Sequence, residues 1–170
     1  GYLAARLATL RNEIVRALEG YHIALERFQA QGDETGMDSC RKDIGFHHYL
    51  TGDIRRARKE MRKLWGKEHE DPFFPLEVAI YLTLFAAILG DHEDAESVRD
   101  RFLAGLDAAG ASVPERMAAK HWLDFTLAYS FYCGGDFPLA LEMNETCLAF
   151  FKAVNMEPVL PLAYFQTALS

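Results

Sequence analysis

The stretch Asp43–Leu64, DIGFHHYLTGDIRRARKEMRKL, reads as two helices joined by a Gly-Asp turn. Gly52 can adopt the left-handed backbone conformation that ends one helix, and Asp53 can accept the free amide hydrogens that begin the next. The same pair of residues returns at Gly90-Asp91 and at Gly135-Asp136. Gly52 and Gly90 are 38 residues apart, and Gly90 and Gly135 are 45 apart. Spacings of this size are typical of helix-pair repeats.

A small residue follows each turn glycine at a fixed distance. Alanine lies five residues after the glycine in every copy, at Ala57, Ala95 and Ala140. On a helix this position faces the neighbouring helix, so we expect all three alanines at close helix crossings. Turns are predicted at 32–33, 51–53, 90–91 and 134–136. Repeats are predicted over about 34–66, 76–109 and 113–154, and a further repeat begins at 158–170.

The N-terminal segment has its own apolar pattern. Spacings of four and three alternate from position 3 to position 28, through Leu3, Leu7, Leu10, Ile14, Ala17, Tyr21, Ala24 and Phe28. This spacing is a heptad seam and no proline interrupts it, so the sequence predicts one long helix over 2–31. Its second half can complete a repeat. Its first half either continues as a connector or packs against a second copy of the chain.

Composition limits the class of protein. The chain has 170 residues, half of them apolar, which fits one domain or one run of repeats. The cysteines Cys40, Cys133 and Cys147 form no CxxC pair, which favours reduced thiols and a cytoplasmic protein. The longest apolar run, 78–89, is too short to span a membrane, and no signal peptide pattern is present. A new helical pattern has begun and continues up to Ser170, so we expect the sequence to be a piece of a longer protein.

The charge is unevenly distributed. Residues 1–67 carry 13 Lys/Arg against 9 Asp/Glu, a net +4, whereas 68–170 carry 5 against 16, a net −11. Much of the positive charge lies in one cluster: Arg55, Arg56, Arg58, Lys59, Arg62, Lys63 and Lys67. The cluster is either a solvated helix face or a docking patch for an acidic partner or another domain. Nucleic-acid modules are usually basic as a whole, so we expect no direct nucleic-acid contact.

The longest predicted loop lies between residues 66 and 75. It is polar, acidic and interrupted by two prolines, which stop helices. Phe73 and Phe74 stand between those prolines. We expect them to fold back onto the core, and the alternative is an exposed recognition loop.

The chain resembles the tetratricopeptide repeat family over essentially its full length. The matching positions are Gly45, Gly52 and Ala57, then Ala87, Gly90 and Ala95, then Ala128, Gly135 and Ala140. The copies have longer helices than the family's usual repeat and lack its Trp and terminal Pro. Long Leu/Ala-rich repeats of this kind are similar to the sensor regions of MalT-like signalling-ATPase transcription regulators. The resemblance implies an all-α protein, a right-handed superhelix of antiparallel helix pairs.

Motifs for catalysis and metal binding are missing from the sequence. It contains no GxxxxGK[ST], GxGxxG, GxSxG or HExxH, which argues against an enzyme. His47 and His48 are adjacent and therefore point in different directions on a helix, which makes them a poor metal pair. We expect no metal site and no cofactor, and we expect buried thiols and hydrogen-bonded histidines.

Two classes of function remain. In the first, the chain is a non-catalytic scaffold or sensor, part of a bacterial transcription regulator or signalling protein. It binds a protein, a peptide or a small regulatory ligand on a concave face made by the first helix of each pair. In the second, it is a structural or dimerising segment without a ligand. Either way we expect no membrane partner and a weak homodimer, because the first and last helices have uncovered faces.

The predicted groove is aromatic. Counted back from each turn glycine at helical spacing, aromatic side chains fall on one face of the first helix of each pair. There they either line a groove or belong to the core. The predicted groove residues are Phe46, Tyr49, Trp122, Phe125, Tyr129 and Tyr132.

Overall fold

A computed structural model describes residues 1–71, 73–156, 163 and 166–168, and this part of the chain is helical without a strand. The all-α prediction is therefore confirmed for the described residues. The helices are α1 (Tyr2–Leu10), α2 (Ile14–Gln31), α3 (Glu34–Leu50), α4 (Ile54–Arg62), α5 (Phe74–Ile88), α6 (His92–Ala108), α7 (Val113–Gly134) and α8 (Phe137–Ala153). Most of the last predicted repeat, 158–170, lies outside the described residues.

The predicted Gly-Asp turns end and begin helices as expected. Gly52, Gly90 and Gly135 have φ values of 81°, 72° and 86°, in the left-handed region that glycine adopts at low cost. The following aspartate caps the next helix each time, as Asp53 does by accepting from the Arg56 amide. The turn at 32–33 has the same form. Local sequence therefore determines four of the helix boundaries.

Ser112 and Glu115 form a capping box at the start of α7. The Ser112 hydroxyl accepts from the Glu115 amide, and the Glu115 carboxylate accepts from the Ser112 amide at 2.8 Å. Because both terminal amides are satisfied, α7 begins at a fixed residue.

The chain divides into two compact units, Gly1–Val78 and Ala79–Ser170. In the first unit, α1, α2, α3 and α4 pack in chain order, each on the next. One cluster of its core joins the first three of these helices through Ala5, Ala8, Ala17, Tyr21 and Ile44. In the second unit, α6 packs on α7 and α7 packs on α8.

The three repeat alanines belong to the core. Ala57, Ala95 and Ala140 are fully buried, as their predicted place at close helix crossings requires. The α3–α4 crossing is especially close, because a Cβ added at Gly45 would lie 3.3 Å from the Ala57 carbonyl oxygen. Small residues at such positions let two backbones approach.

The prediction of one helix over 2–31 is wrong. Helix α1 ends at Leu10, Asn12 takes a positive φ of 59°, and α2 begins at Ile14 and packs back on α1. Asparagine tolerates this conformation better than most residues, so it can make the reversal where no glycine is present. The first unit therefore begins with a complete helix pair.

The first half of the predicted heptad seam has no partner within the described chain, and the expected contact with a second copy stays a prediction. Helix α1 buries Ala5 and Ala8, whereas Leu3, Leu7 and Leu10 are 76, 55 and 83% exposed. The second half of the seam is buried as predicted, through Ala17, Tyr21 and Ala24.

The loop before α5 is only partly as predicted. Phe74 is buried, and its ring stacks on the His69 ring at a centroid distance of 3.9 Å. Phe73 is 69% exposed, so the expectation that both rings fold back is wrong for Phe73. Phe74 and Pro75 form the first turn of α5, where proline costs nothing in hydrogen bonding.

Candidate functional site

The aromatic stripe predicted on α7 divides into a core half and a surface half. In the core half, Phe125 is buried and its ring stands edge-on to Phe151 at 5.8 Å. Trp122 is half-buried, and its ring centroid lies 5.2 Å from that of Phe151. Phe125 therefore belongs to the core of the second unit, and Trp122 packs against its edge.

The surface half lies near the end of α7 and continues into α8. The rings of Tyr129 and Tyr132 lie 6.2 Å apart at 25°, and both side chains are half-buried. Tyr132 in turn meets Phe137 edge-on at 5.6 Å, and Phe137 is 48% exposed. We call Tyr129, Tyr132 and Phe137 the aromatic row. Phe137 was not predicted, although its position directly after the Gly-Gly-Asp turn was a usable signal.

Helix caps and a side-chain hydrogen bond fix the helices that carry the aromatic row. Gly135 ends α7 in the left-handed conformation, and Asp136 caps α8 by accepting from the Leu139 amide. Nearby, His92 Nδ1 lies 2.5 Å from the buried Ser130 hydroxyl and so joins the start of α6 to α7. The row is thus supported by two capped helices.

Phe46 and Tyr49, the other predicted groove residues, lie on α3 in the first unit. Both are half-buried, and their rings are 6.3 Å apart. The Phe46 ring also stands edge-on to His47 at 5.7 Å. The remaining four predicted residues belong to the second unit, so a groove formed by all six stays a prediction.

Part of the basic cluster is balanced inside the chain. Arg56 Nε lies 3.2 Å from Asp53, Lys63 lies 2.7 Å from Glu60, and Lys67 lies 2.8 Å from the buried Asp38. Arg55, Arg56, Lys59 and Lys63 are exposed, whereas Arg58 and Arg62 are half-buried. The pairs of Arg56 with Asp53 and of Lys63 with Glu60 lie at the surface and contribute little to stability. The docking patch on this cluster stays a prediction.

A hydrogen-bond network that was not predicted joins α1 to α2 and α3. The Tyr2 hydroxyl donates to Asp43 Oδ2 at 2.8 Å. The Thr9 hydroxyl lies 2.9 Å from His47 Nε2 and 3.2 Å from the Tyr21 hydroxyl. His47 is fully buried, and its Nδ1 lies 2.7 Å from the Asp43 carbonyl oxygen. Since that oxygen can only accept, Nδ1 carries a proton.

The network favours uncharged side chains. Burial raises the pKa of Asp43 above its ordinary value, and the hydrogen bond from Tyr2 offsets part of this shift. Burial also raises the pKa of Tyr21, and it raises the pKa of the nearby Cys40 thiol to about 12. A thiol with such a pKa stays protonated at neutral pH and is a poor nucleophile. The chemistry of this cluster is therefore that of a structural contact.

The second unit has a buried carboxylate between two cations. One Asp124 oxygen lies 2.5 Å from Arg99 Nε, and the other accepts from Lys120. Burial raises the pKa of the neighbouring Cys147 thiol to about 12 and lowers the pKa of His121. Cys133, in contrast, is exposed. The buried-thiol prediction therefore holds for Cys40 and Cys147 only.

Comparison with known protein families finds no match, and comparison with curated proteins finds none either. Within the ranges that the structure describes, no three His, Cys, Asp or Glu side chains are grouped so that they could hold a metal ion. The same ranges contain no helix that is both long and apolar enough to cross a membrane.

Proposed function

We propose that this chain is a non-catalytic scaffold or sensor domain built from tetratricopeptide-like helix pairs. It binds a protein, a peptide or a small regulatory ligand, as part of a cytoplasmic bacterial transcription regulator or signalling protein. The observation that carries this proposal is the aromatic row, three neighbouring rings that the fold leaves at least partly open to solvent.

Aromatic side chains suit such a role. They have two side-chain torsions, so they offer a large contact area at a small cost in conformational entropy. Phe137 has no polar group to satisfy, yet nearly half of it is exposed. The capped ends of α7 and α8 fix the backbone beneath the row, which reduces the ordering that a ligand must impose.

The Gly-Asp turns and their buried alanines support the repeat architecture in this proposal. Each pair needs a tight turn and a small residue at its crossing, and three copies along the chain meet both requirements. The resemblance to MalT-like regulators provides the cellular setting of the proposal.

The second candidate function is a structural or dimerising segment. The exposed leucines of α1 favour it, because large apolar side chains left open to solvent mark contact surfaces. In that case the isolated chain forms a homodimer and the aromatic row has no ligand.

A thermal-shift screen of peptides and metabolites tests the proposal. We expect a ligand that raises the melting temperature of the wild type but not of Tyr129→Ala or Tyr132→Ala. Phe73→Ala is the matched control, since it removes an exposed aromatic ring in the first unit. Tyr49→Ala tests whether the first unit contributes to the same site.

Two results would contradict the proposal. A ligand that stabilises the Tyr variants as much as the wild type binds elsewhere. If no compound stabilises the wild type and sedimentation shows a dimer, the structural function takes its place.

A further inference from the structure

Helix α1 presents a leucine stripe to solvent. Leu3, Leu7 and Leu10 are all exposed and follow one another at spacings of four and three residues, so they lie along one side of the helix. We call these three residues the leucine stripe. The spacing is that of the a and d positions of a helix that packs on another helix.

The opposite side of α1 is fixed to the first unit by specific contacts. Ala5 lies so close to α2 that a Cβ added at Gly20 would stand 2.9 Å from the Ala5 Cβ. On the same side Tyr2 donates to Asp43, and Thr9 meets His47. A rotation of α1 that turned the leucines inward would break both hydrogen bonds and push bulky side chains into this narrow gap. The outward direction of the stripe is therefore built into the packing.

We propose that the leucine stripe is a docking surface for an acidic amphipathic helix of a partner protein. The proposal is independent of the aromatic row. It rests on the exposure of the stripe, its helical spacing and the charges beside it.

The charges select the partner. With Leu3 and Leu10 at d positions and Leu7 at a, Arg6 takes the g position and Arg11 the e position, one on each side of the stripe. Both are exposed, Arg11 at the C-cap of α1, and α1 itself contains no carboxylate. A partner helix with Glu or Asp at its own e and g positions therefore meets opposite charge on both sides.

A second copy of α1 does not fit the stripe as well. In a parallel pair the g residue faces the e residue of the following heptad, which places Arg6 opposite Arg11 of the other copy. In an antiparallel pair g faces g and e faces e, so each arginine meets itself. Like charges at these positions select against self-pairing. Helices that bind membrane surfaces are rich in Lys/Arg on their polar face, whereas only two arginines flank the leucine stripe.

Two designed peptides of equal length test the proposal with the full chain. Both carry leucine at a and d, and one has Glu and the other Lys at every e and g position. Fluorescence anisotropy should show that the wild type binds the Glu peptide about tenfold more tightly, as expected for two surface ion pairs replaced by two repulsions. The double variant Arg6→Glu/Arg11→Glu should reverse this preference.

Leucine variants test the apolar part. Leu7→Ala should lower the affinity for the Glu peptide about tenfold or more. Leu50→Ala is the matched control, because it removes the same atoms from another exposed leucine of the first unit and should leave binding unchanged. Circular dichroism should show equal helix content in all variants, since each substituted side chain is exposed.

Four outcomes would overturn the proposal. Equal affinity for the two peptides would show that the arginines do not select the partner. Binding to neither peptide would show that the stripe is not a docking surface for such a helix. A wild-type dimer that Leu7→Ala dissociates would make a second copy the occupant. Binding to anionic vesicles that depends on Leu7, without binding to the Glu peptide, would make a membrane surface the occupant.

Discussion

Substitution of Gly20 by alanine provides a direct test of the α1–α2 crossing. Gly20 lies in the middle of α2, where alanine should stabilise the helix by about 1 kcal/mol because it restricts the unfolded chain and has a higher helix propensity. The new Cβ, however, would lie 2.9 Å from the Ala5 Cβ and 3.3 Å from the Ala5 Cα. Since a backbone atom is among these neighbours, α1 has to move.

The cost of this movement decides whether Gly20→Ala raises or lowers the free energy of unfolding. Overpacking of a close contact costs about 1 to 3 kcal/mol, and displacement of α1 also strains the hydrogen bonds of Tyr2 and Thr9. After the gain in helix propensity is subtracted, Gly20→Ala should lower the free energy of unfolding by about 1 kcal/mol.

Gly105 offers a matched control in α6. A Cβ added there meets no atom within 4 Å, so Gly105→Ala should raise the free energy of unfolding by about 1 kcal/mol. Urea unfolding followed by far-UV circular dichroism measures both. In the Ala5→Gly background Gly20→Ala should cost less than in the wild type, because Ala5→Gly removes the closer of the two contacts. If Gly20→Ala stabilises as much as Gly105→Ala, the close crossing of α1 and α2 does not exist.

Three further predictions concern other contacts. Ala140→Leu should destabilise by about 1 to 3 kcal/mol in a thermal melt, because it adds volume to a fully buried helix crossing, and an unchanged melt would contradict that crossing. Asp43→Asn should gain stability relative to the wild type as the pH rises above 3.8, the ordinary pKa of the carboxyl, because the pKa of Asp43 is raised in the folded state and its ionisation therefore destabilises the fold. Urea titrations at several pH values should show that the free energy of unfolding of the variant, minus that of the wild type, rises with pH. A constant or falling difference would contradict the prediction. Asp124→Asn should lower the free energy of unfolding, measured by urea titration, by about 2 kcal/mol, because it leaves two cations beside a buried, uncharged group. Asp107→Asn, which breaks an exposed pair, should change it by less than about 0.5 kcal/mol.

The helices and their turns could be predicted because their signals are local. A glycine that can take positive φ, followed by an aspartate that caps, determines a boundary without reference to the rest of the chain. The boundaries at 32–33, 51–53, 90–91 and 134–136 follow this rule. The turn at 11–13 has neither residue and depends on Asn12, so the apolar spacing across it was interpreted as one continuous helix.

The orientation of α1 could not be predicted from apolar spacing. The larger side chains normally indicate the buried side of a helix, and by this criterion Leu3, Leu7 and Leu10 should lie inside. The buried side instead follows from a contact distant in sequence, where Gly20 allows Ala5 to approach and His47 meets Thr9. Such pairs leave no periodic trace in a single sequence.

The aromatic stripe was half predicted for a similar reason. Helical spacing places Trp122, Phe125, Tyr129 and Tyr132 on one side of α7, and α8 covers the first part of that side through Phe151. Where α8 begins, Phe137 adds a ring to the uncovered part instead. Spacing on one helix gives the side on which a residue lies, but the extent of its burial depends on where the next helix begins.

The contrast between the two sides of α1 bears on what the helix is for. Three leucines turned inward could bury more apolar area than the two alanines do, and apolar contacts tolerate small rotations of the helix. The inward side instead uses directional hydrogen bonds from Tyr2 and Thr9, which fix one rotation and become costly if they are broken. A fixed rotation specifies one packing of α1 on the core. It matters for a surface whose leucines and flanking arginines must meet a partner in one register, which is the role we propose for the leucine stripe.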